Sequence, residues 1–457
     1  VGVAIPQSQT GLKLPPARVT VVLVALNAIA YVITTAENGF ITISDKWLFW
    51  GAYIPALMTY PSHWYRIFIS MFLHANLFHV FFNMLYLYNF GRSVESVIGS
   101  KRYLLLYIAS GMVAEAFHTA FIPLEGPLSA VVPAIGASGA ISGILGAYLL
   151  LFPGSRISMY FFYFFFPVSF TWSAAAYLIF WFVTQVLQGY MGGSIGVAVF
   201  AHAGGFIGGL ALLPYVMDKN RHKLVRMLTA TRRYFYYVYF GRRGLGTISK
   251  TVLALTILLV MAGGAYSMIS AKAIVSSVRV LDFKVDYKFY CYGRVLCDKG
   301  IDEEPVVMKI DNGRVRLASP ISSDGVRVVF NRLNALDLFY RKTGPGKKIL
   351  LNKTYIVNVL GIDLRIVLSM QASYDEEGLL REAQGTMFTD VLSCLGTQCK
   401  ISGNGNYKFE ISTMYGGGEK DKELEGIITG LALTSLVFSV LALGIVLRKA
   451  DELAIVI

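Results

Sequence analysis

Residues 136–147 read Gly136-Ala137-Ser138-Gly139-Ala140-Ile141-Ser142-Gly143-Ile144-Leu145-Gly146-Ala147, and the apolar run they belong to extends to about residue 152. At helical spacing Ser138, Ser142 and Gly146 share one face, and Gly139, Gly143 and Ala147 share another. Small faces of this kind let a neighbouring backbone come very close, which is how helices associate in lipid, where hydrophobicity cannot drive them together. A matching surface follows Ala201-His202-Ala203-Gly204-Gly205, where Gly204/Gly208 and Gly205/Gly209 are i, i+4 pairs in the run 197–217. Two such helices in contact would bring a serine hydroxyl within hydrogen-bond reach of an imidazole.

The rest of the chain gives these runs their setting. Of 457 residues, 55% are hydrophobic and 15% charged, against about 25% charged in an ordinary soluble domain. Apolar runs fall at about 18–36, 73–90, 102–122, 137–152, 170–188, 197–217, 251–270 and 426–447. Runs near 20 residues are what a hydrocarbon core of roughly 30 Å demands of a helix. The composition therefore predicts a polytopic α-helical membrane protein: a six-helix bundle over 18–217 and two further spans, at 251–270 and 424–447. Residues 157–167 are apolar and aromatic but too short to span, and read as an interfacial or re-entrant piece closed by Pro167. Residues 1–17 read as a cytoplasmic tail, and 448–457 as another.

Charge orients the chain. Residues 218–250 carry nine Lys/Arg against one acidic residue, which accounts for most of the net charge of +13. A short basic loop between apolar runs belongs on the cytoplasmic side. Eight spans then put both termini inside, together with Arg92, Lys101, Arg102 and Arg156. The same loop explains the basic pI without nucleic acid, and Arg232-Arg233-Tyr234-Phe235-Tyr236-Tyr237 within it suits a helix lying on anionic lipid.

This orientation sends two segments outside. The 37–72 loop holds Trp47, Trp50, Trp64 and Tyr65, aromatic residues suited to the membrane interface. Residues 271–423 read as a β-rich domain of alternating strands, for example Val326-Arg327-Val328-Val329-Phe330 and Tyr355-Ile356-Val357-Asn358-Val359. Turn signals at Asp311-Asn312-Gly313, Asp324-Gly325 and Gly344-Pro345-Gly346 separate them. All four cysteines, Cys291, Cys297, Cys394 and Cys399, lie in this domain. An even number confined to an external domain favours two disulfides, with three connectivities open; a four-thiolate zinc site is the alternative. Asn352-Lys353-Thr354 is a glycosylation sequon in the same domain.

Polar and ionisable groups in apolar runs are costly and mark functional candidates. Ser138 alone is a weak nucleophile and needs a base; His202, with no carboxylate in its own run, could be that base. The plainer alternative is that the small residues serve packing and Ser138 bonds back to its own helix. His79 and Asn83, four apart on one helix face, present donors of the kind an oxyanion needs, or else pair between helices to hold the bundle. A metal at His74/His79 is disfavoured, because i, i+5 is poor helical ligand geometry and no acidic ligand is near. No cofactor is implied.

Taken together, Trp64/Arg66, the His79…Asn83 run, Gly136-x-Ser138-Gly139 and His202-x-x-Gly205-x-x-x-Gly209 resemble, in order and spacing, the rhomboid family of intramembrane serine proteases. The resemblance covers about residues 18–217. It departs from the family in placing Tyr65 between Trp64 and Arg66, where the two are often adjacent. It implies that Ser138 is the nucleophile and His202 the general base, without a third acidic member. It also implies that His79, Asn83 and the Ser138 amide line an oxyanion hole, and that Trp64 and Arg66 fix the first loop. Glu95 fits as a structural anchor. Substrates would be membrane proteins with a transmembrane segment that slides in beside the run 170–188 and unwinds near its outer end. His74 and Asn76 would stand near the mouth through which water enters. The external domain would bind substrate or a partner protein, and the plasma membrane is the default location. The competing readings are a non-proteolytic rhomboid-like protein that binds membrane clients and, less well matched, a solute transporter.

Overall fold

The computed structural model describes residues 3–6, 17–163, 166–192, 198–232, 244–275, 278–291, 295–311, 314–317, 321, 323–340, 348–359, 362–375, 378–395, 398–415 and 419–455. The chain divides into two compact units, one made of Val1–Ala271 and Gly426–Ile457, the other of Lys272–Glu425.

The first unit is helical. Its main helices are α1 (Arg18–Thr35), α2 (Leu77–Ile98), α3 (Ser100–Ala120), α4 (Ser138–Leu151), α5 (Ala174–Tyr190), α6 (Val199–Val216), α7 (Lys219–Arg232), α8 (Thr247–Val275) and α10 (Glu419–Arg448). Among the described residues, four segments are long and apolar enough to cross a membrane: Arg18–Asn38, Val199–Val216, Thr247–Lys272 and Lys422–Arg448. Each of the eight expected runs contains a helix, but the run 170–188 begins in a strand, α4 has only 14 residues and α5 only 17. Short helical turns between α1 and α2, among them Asp45–Gly51, Pro55–Thr59 and Arg66–Ile69, make up the aromatic loop.

Helix ends follow from local chemistry. Asn76 caps α2, its Oδ1 accepting the His79 N–H at 2.9 Å. Helix α1 borrows its cap from far along the chain. The buried Glu95 carboxylate accepts from the Val19 and Thr20 amides at 3.0 and 2.8 Å, from Thr20 Oγ1 at 2.7 Å and from Ser100 Oγ at 2.6 Å. An anion at a helix N-terminus satisfies orphan donors and complements the dipole, so the sequence expectation of an anchor is met in these bonds. Glu95→Ala should cost about 2–3 kcal/mol of stability, because buried donors lose a charged acceptor. Thermal unfolding in detergent checks this; an unchanged midpoint would contradict it.

Two expectations about this unit are corrected. Residues 156–163 and 166–173 are strands, so the span expected at 170–188 begins as sheet rather than helix. They form an antiparallel hairpin, β2 (Arg156–Tyr163) and β3 (Phe166–Ser173), and β1 (Val3–Pro6) joins it through Val3↔Tyr160 to Pro6↔Ile157. The supposed tail therefore contains a strand. The run from Ile157 through Phe166 is rich in aromatic residues, which favour a sheet over a helix. The C-terminal tail also folds back onto this unit. Ile455 N–H donates to the Leu151 carbonyl at the end of α4 at 2.7 Å, and His222 Nε2 meets the Leu453 carbonyl at 2.9 Å. Of the basic aromatic stretch beginning at Arg232, residues 233–237 lie outside the described residues.

The second unit is a seven-stranded antiparallel sheet in the order β6-β5-β4-β10-β9-β8-β7. Its strands are β4 (Val278–Cys291), β5 (Val295–Asp311), β6 (Arg314–Leu317), β7 (Lys348–Val359), β8 (Ile362–Tyr374), β9 (Leu380–Leu395) and β10 (Gln398–Tyr415). Strand β4 shows the pattern plainly, with Leu281, Phe283 and Val285 buried and Lys284 and Asp286 exposed. Asp311↔Arg314 pairing brackets the Asn312-Gly313 turn signal, whose two residues are outside the described set. Gly344-Pro345-Gly346 also lies outside it.

One strand expectation is overturned here. Val326-Arg327-Val328-Val329-Phe330 belongs to helix α9 (Asp324–Ala335). Val326, Val329, Phe330 and Leu333 are buried, a helical i, i+3, i+4, i+7 stripe that covers the sheet and outweighs β-branched propensity. Asp324-Gly325 opens this helix rather than turning a hairpin.

Cys291 and Cys297 form a disulfide across the β4–β5 hairpin. The β9–β10 register sets Cys394 opposite Cys399, and directly opposed antiparallel residues stand about 4.5–5.5 Å apart at Cα, within disulfide range. Non-reducing peptide mapping should recover a Cys394–Cys399 linkage; alkylation of both as free thiols would contradict it. Asn352 and Thr354 of the sequon are exposed on the edge strand β7.

Candidate active site

Three close-packed helices position the serine. A β-carbon on Gly205 of α6 would land on the Gly139 carbonyl oxygen of α4, and one on Gly209 on the Gly143 carbonyl. On the other side a β-carbon at Gly139 would stand 2.6 Å from the Ala114 methyl of α3. Backbone thus meets backbone where the sequence has its two small faces. The result is a bond of 2.8 Å between Ser138 Oγ and His202 Nε2, linking residues 64 apart in sequence. Ser142, not Ser138, bonds back to its own helix, donating to the Ser138 carbonyl at 2.7 Å.

The turn before α4 completes the frame. Gly136 has φ +124°, a conformation that L side chains rarely adopt, and its N–H donates to the Ser70 carbonyl at 2.9 Å. A β-carbon there would sit 2.8 Å from His79 Nε2 and 3.7 Å from Ser138 Oγ, so the glycine keeps open the space between ring and hydroxyl. His79 Nδ1 accepts the Ala75 N–H at 3.3 Å, which puts the ring proton on Nε2, facing this space. Asn83, buried one turn on, donates through Nδ2 to the His79 carbonyl at 3.0 Å and lines the same cavity. That cavity measures about 1290 Å³, and Ser138, His202, His79, Asn83, Gly136 and Gly139 all line it.

The first loop is pinned from within by Arg66. Its guanidinium is buried, donating to the Ala52 carbonyl at 2.9 Å and to His63 Nδ1 at 3.0 Å. Trp64 is 55% exposed and donates through Nε1 to the Met58 carbonyl, so it faces outward from the loop. His74 departs from expectation. It is fully buried and stacks edge-on against His79 at 5.0 Å between ring centres, so it backs the oxyanion candidate instead of standing at a mouth.

Several residues near the dyad escaped sequence reasoning. Gln185 of α5 accepts from His202 Nδ1 at 2.7 Å, and the Trp181 ring centre lies 6.2 Å from that of His202. Glu115, His118 and Glu125 line the cavity as well. Their signal was available: Gln185, Glu115 and His118 are polar groups inside apolar runs, with Glu115 and His118 three apart on one helix face. Tyr86 of α2, on the cavity wall, shares a hydrogen bond of 2.5 Å with Tyr177 of α5.

Residues 61–219 match the Rhomboid domain model, a span that takes in Trp64, Arg66, His79, Asn83, Ser138 and His202. Over that span the chain carries a Rhomboid domain. It is similar to the mitochondrial rhomboid protein 1 of Saccharomyces cerevisiae, 29% identical over 209 residues, or 44% of this chain and 56% of that one. It also resembles rhomboid protease GluP of Bacillus subtilis, 34% identical over 119 residues, covering 26% of this chain and 22% of that protein. The human presenilin-associated rhomboid-like protein, mitochondrial, is 28% identical over 167 residues, 35% of this chain and 40% of its own length. The chain thus spans about half or less of these relatives. The Rhomboid match and the apolar helices together support a polytopic helical membrane protein, with the Lys272–Glu425 sheet unit outside the matched domain.

Proposed function

We propose that the chain is an intramembrane serine endopeptidase that cleaves other membrane proteins in or near their spans. The observation that carries this reading is the 2.8 Å contact of Ser138 Oγ with His202 Nε2 at the wall of a cavity also lined by His79 and Asn83. A client-binding protein would need no hydroxyl held by an imidazole. Bacillus subtilis GluP is named a protease, which favours the same reading.

In this mechanism a substrate segment enters the cavity beside α5 and unwinds, presenting a carbonyl to Ser138. His202 Nε2 takes the serine proton as Oγ attacks, and the imidazolium returns it to the leaving amine. The negative charge on the tetrahedral oxygen faces His79 Nε2–H, Asn83 Nδ2 and the Ser138 amide, donors in a water-poor site where they are worth most. Water then releases the acyl group from Ser138. Gly136 leaves the room this oxygen needs.

For topology, the proposal places both termini and the basic 218–250 loop in the cytoplasm, and residues 271–423 outside. The Cys291–Cys297 disulfide supports an oxidising compartment for that unit. Pairing of β1 with β2 supports a common side for the N-terminus and Arg156. The named relatives are mitochondrial or bacterial, which lends the plasma membrane no support. The sheet unit would capture substrates or a partner.

The test is reconstitution in liposomes with a single-span reporter, products being mapped by mass spectrometry. Cleavage in or beside the span is the expected result. A well-folded protein that leaves a panel of such reporters intact would count against proteolysis.

A further inference from the structure

His202 uses both ring nitrogens. Nε2 lies 2.8 Å from Ser138 Oγ, and Nδ1 lies 2.7 Å from Gln185 Oε1. An imidazole has two tautomers, and the one present is set by the partner of the nitrogen that does not react. A general base at Nε2 needs a lone pair there, so the proton must sit on Nδ1. An amide oxygen at Nδ1 can only accept, and therefore pairs with that tautomer alone. We infer that Gln185 is a positioning residue for the dyad, orienting the His202 ring and holding its proton on Nδ1 so that Nε2 is free to take the serine proton. This inference rests on the protease reading and adds a third member to the dyad.

The surroundings support the assignment. Gln185 is buried on α5, within the apolar run 174–190. An amide placed there is costly unless it is bonded, and its oxygen is bonded to His202. Helix α6, which carries His202, is glycine-rich beside the ring and has no other polar side chain within two turns of it. Among the described residues the hydrogen-bond partners of the His202 ring are Gln185 and Ser138, and no carboxylate bonds to it. A ring held only by Ser138 would keep freedom about its second torsion; the Gln185 bond removes it. Because glutamine stays neutral throughout, the proton moves only between Ser138 Oγ, His202 Nε2 and the leaving amine, while Nδ1–H remains donated to Gln185.

The experiment compares reconstituted wild type with Gln185→Leu and Gln185→Glu, following kcat and KM on a reporter and the thermal midpoint of each. Loss of an orienting partner typically costs 10–100-fold, so Gln185→Leu should lower kcat by roughly that factor with KM and the midpoint little changed. Gln185→Glu keeps an acceptor oxygen and should return kcat to within about tenfold of wild type. A Leu variant with wild-type kcat overturns the inference, as does a parallel loss of kcat and thermal midpoint that Glu fails to repair. Ser138→Ala in the same assay separates the two claims. Wild-type cleavage that depends on Ser138 but not on Gln185 removes only this inference, whereas a wild type that does not cleave removes the protease reading beneath it.

Discussion

Ser138→Ala and His202→Ala are each expected to abolish reporter cleavage, lowering kcat by on the order of 10⁴-fold or more, with folding retained. The two losses should not add, because nucleophile and base act as one unit: the double variant should be no worse than either single one. The geometry gives the reason. With alanine at 138 no nucleophile stands opposite His79 and Gly136. With alanine at 202 the serine hydroxyl loses the nitrogen that takes its proton. A rate assay over long incubation checks both. Cleavage surviving in Ser138→Ala would mean that another nucleophile or a contaminating protease does the work.

The second large effect is expected at a residue that touches no substrate. Gly205→Val should lower cleavage by about 10²-fold or more and cost roughly 1–3 kcal/mol, since side chains forced into close-packed interiors displace their neighbours. A β-carbon at 205 meets the Gly139 carbonyl oxygen, a backbone atom that cannot swing aside, so α4 and α6 must separate. Because Gly139 directly follows Ser138 and Gly205 lies three residues beyond His202, that separation would lengthen the 2.8 Å contact. By contrast, a substitution at Gly126 meets no atom within 4 Å, although its positive φ adds backbone strain. Measuring kcat and thermal midpoint of Gly205→Val decides the point; a fully active variant would show that the two helices are not held at backbone contact.

These effects also mark what the sequence could disclose. The small faces around Ser138 and Gly205 were legible because close approach in lipid requires small residues at fixed spacing, and Ser138, His202, His79 and Asn83 do converge on one cavity. Glu95 was legible as an anchor, but not its partners, the amides of Val19 and Thr20, which are 75 residues or more away in sequence. Gln185 carried only the signal of one polar group in an apolar helix, with no motif around it, and its approach to His202 is what gives it meaning. The hairpin of β2 and β3 was not legible because a short aromatic run next to an apolar helix carries no strand pattern of its own until a third strand, Val3–Pro6, is seen to pair with it. Residues 326–330 satisfied both a period of two and a period of 3.6, and the covering of the sheet by Val329, Phe330 and Leu333 decided for the helix.

The central claim is that Ser138 is a nucleophile activated by His202. Its most direct test is labelling of the detergent-solubilised full chain with a fluorophosphonate, followed by mass spectrometric location of the adduct. The account predicts one adduct, on Ser138, absent from His202→Ala. A folded, cleavage-competent protein that carries its adduct elsewhere, or labels equally well without His202, would contradict it.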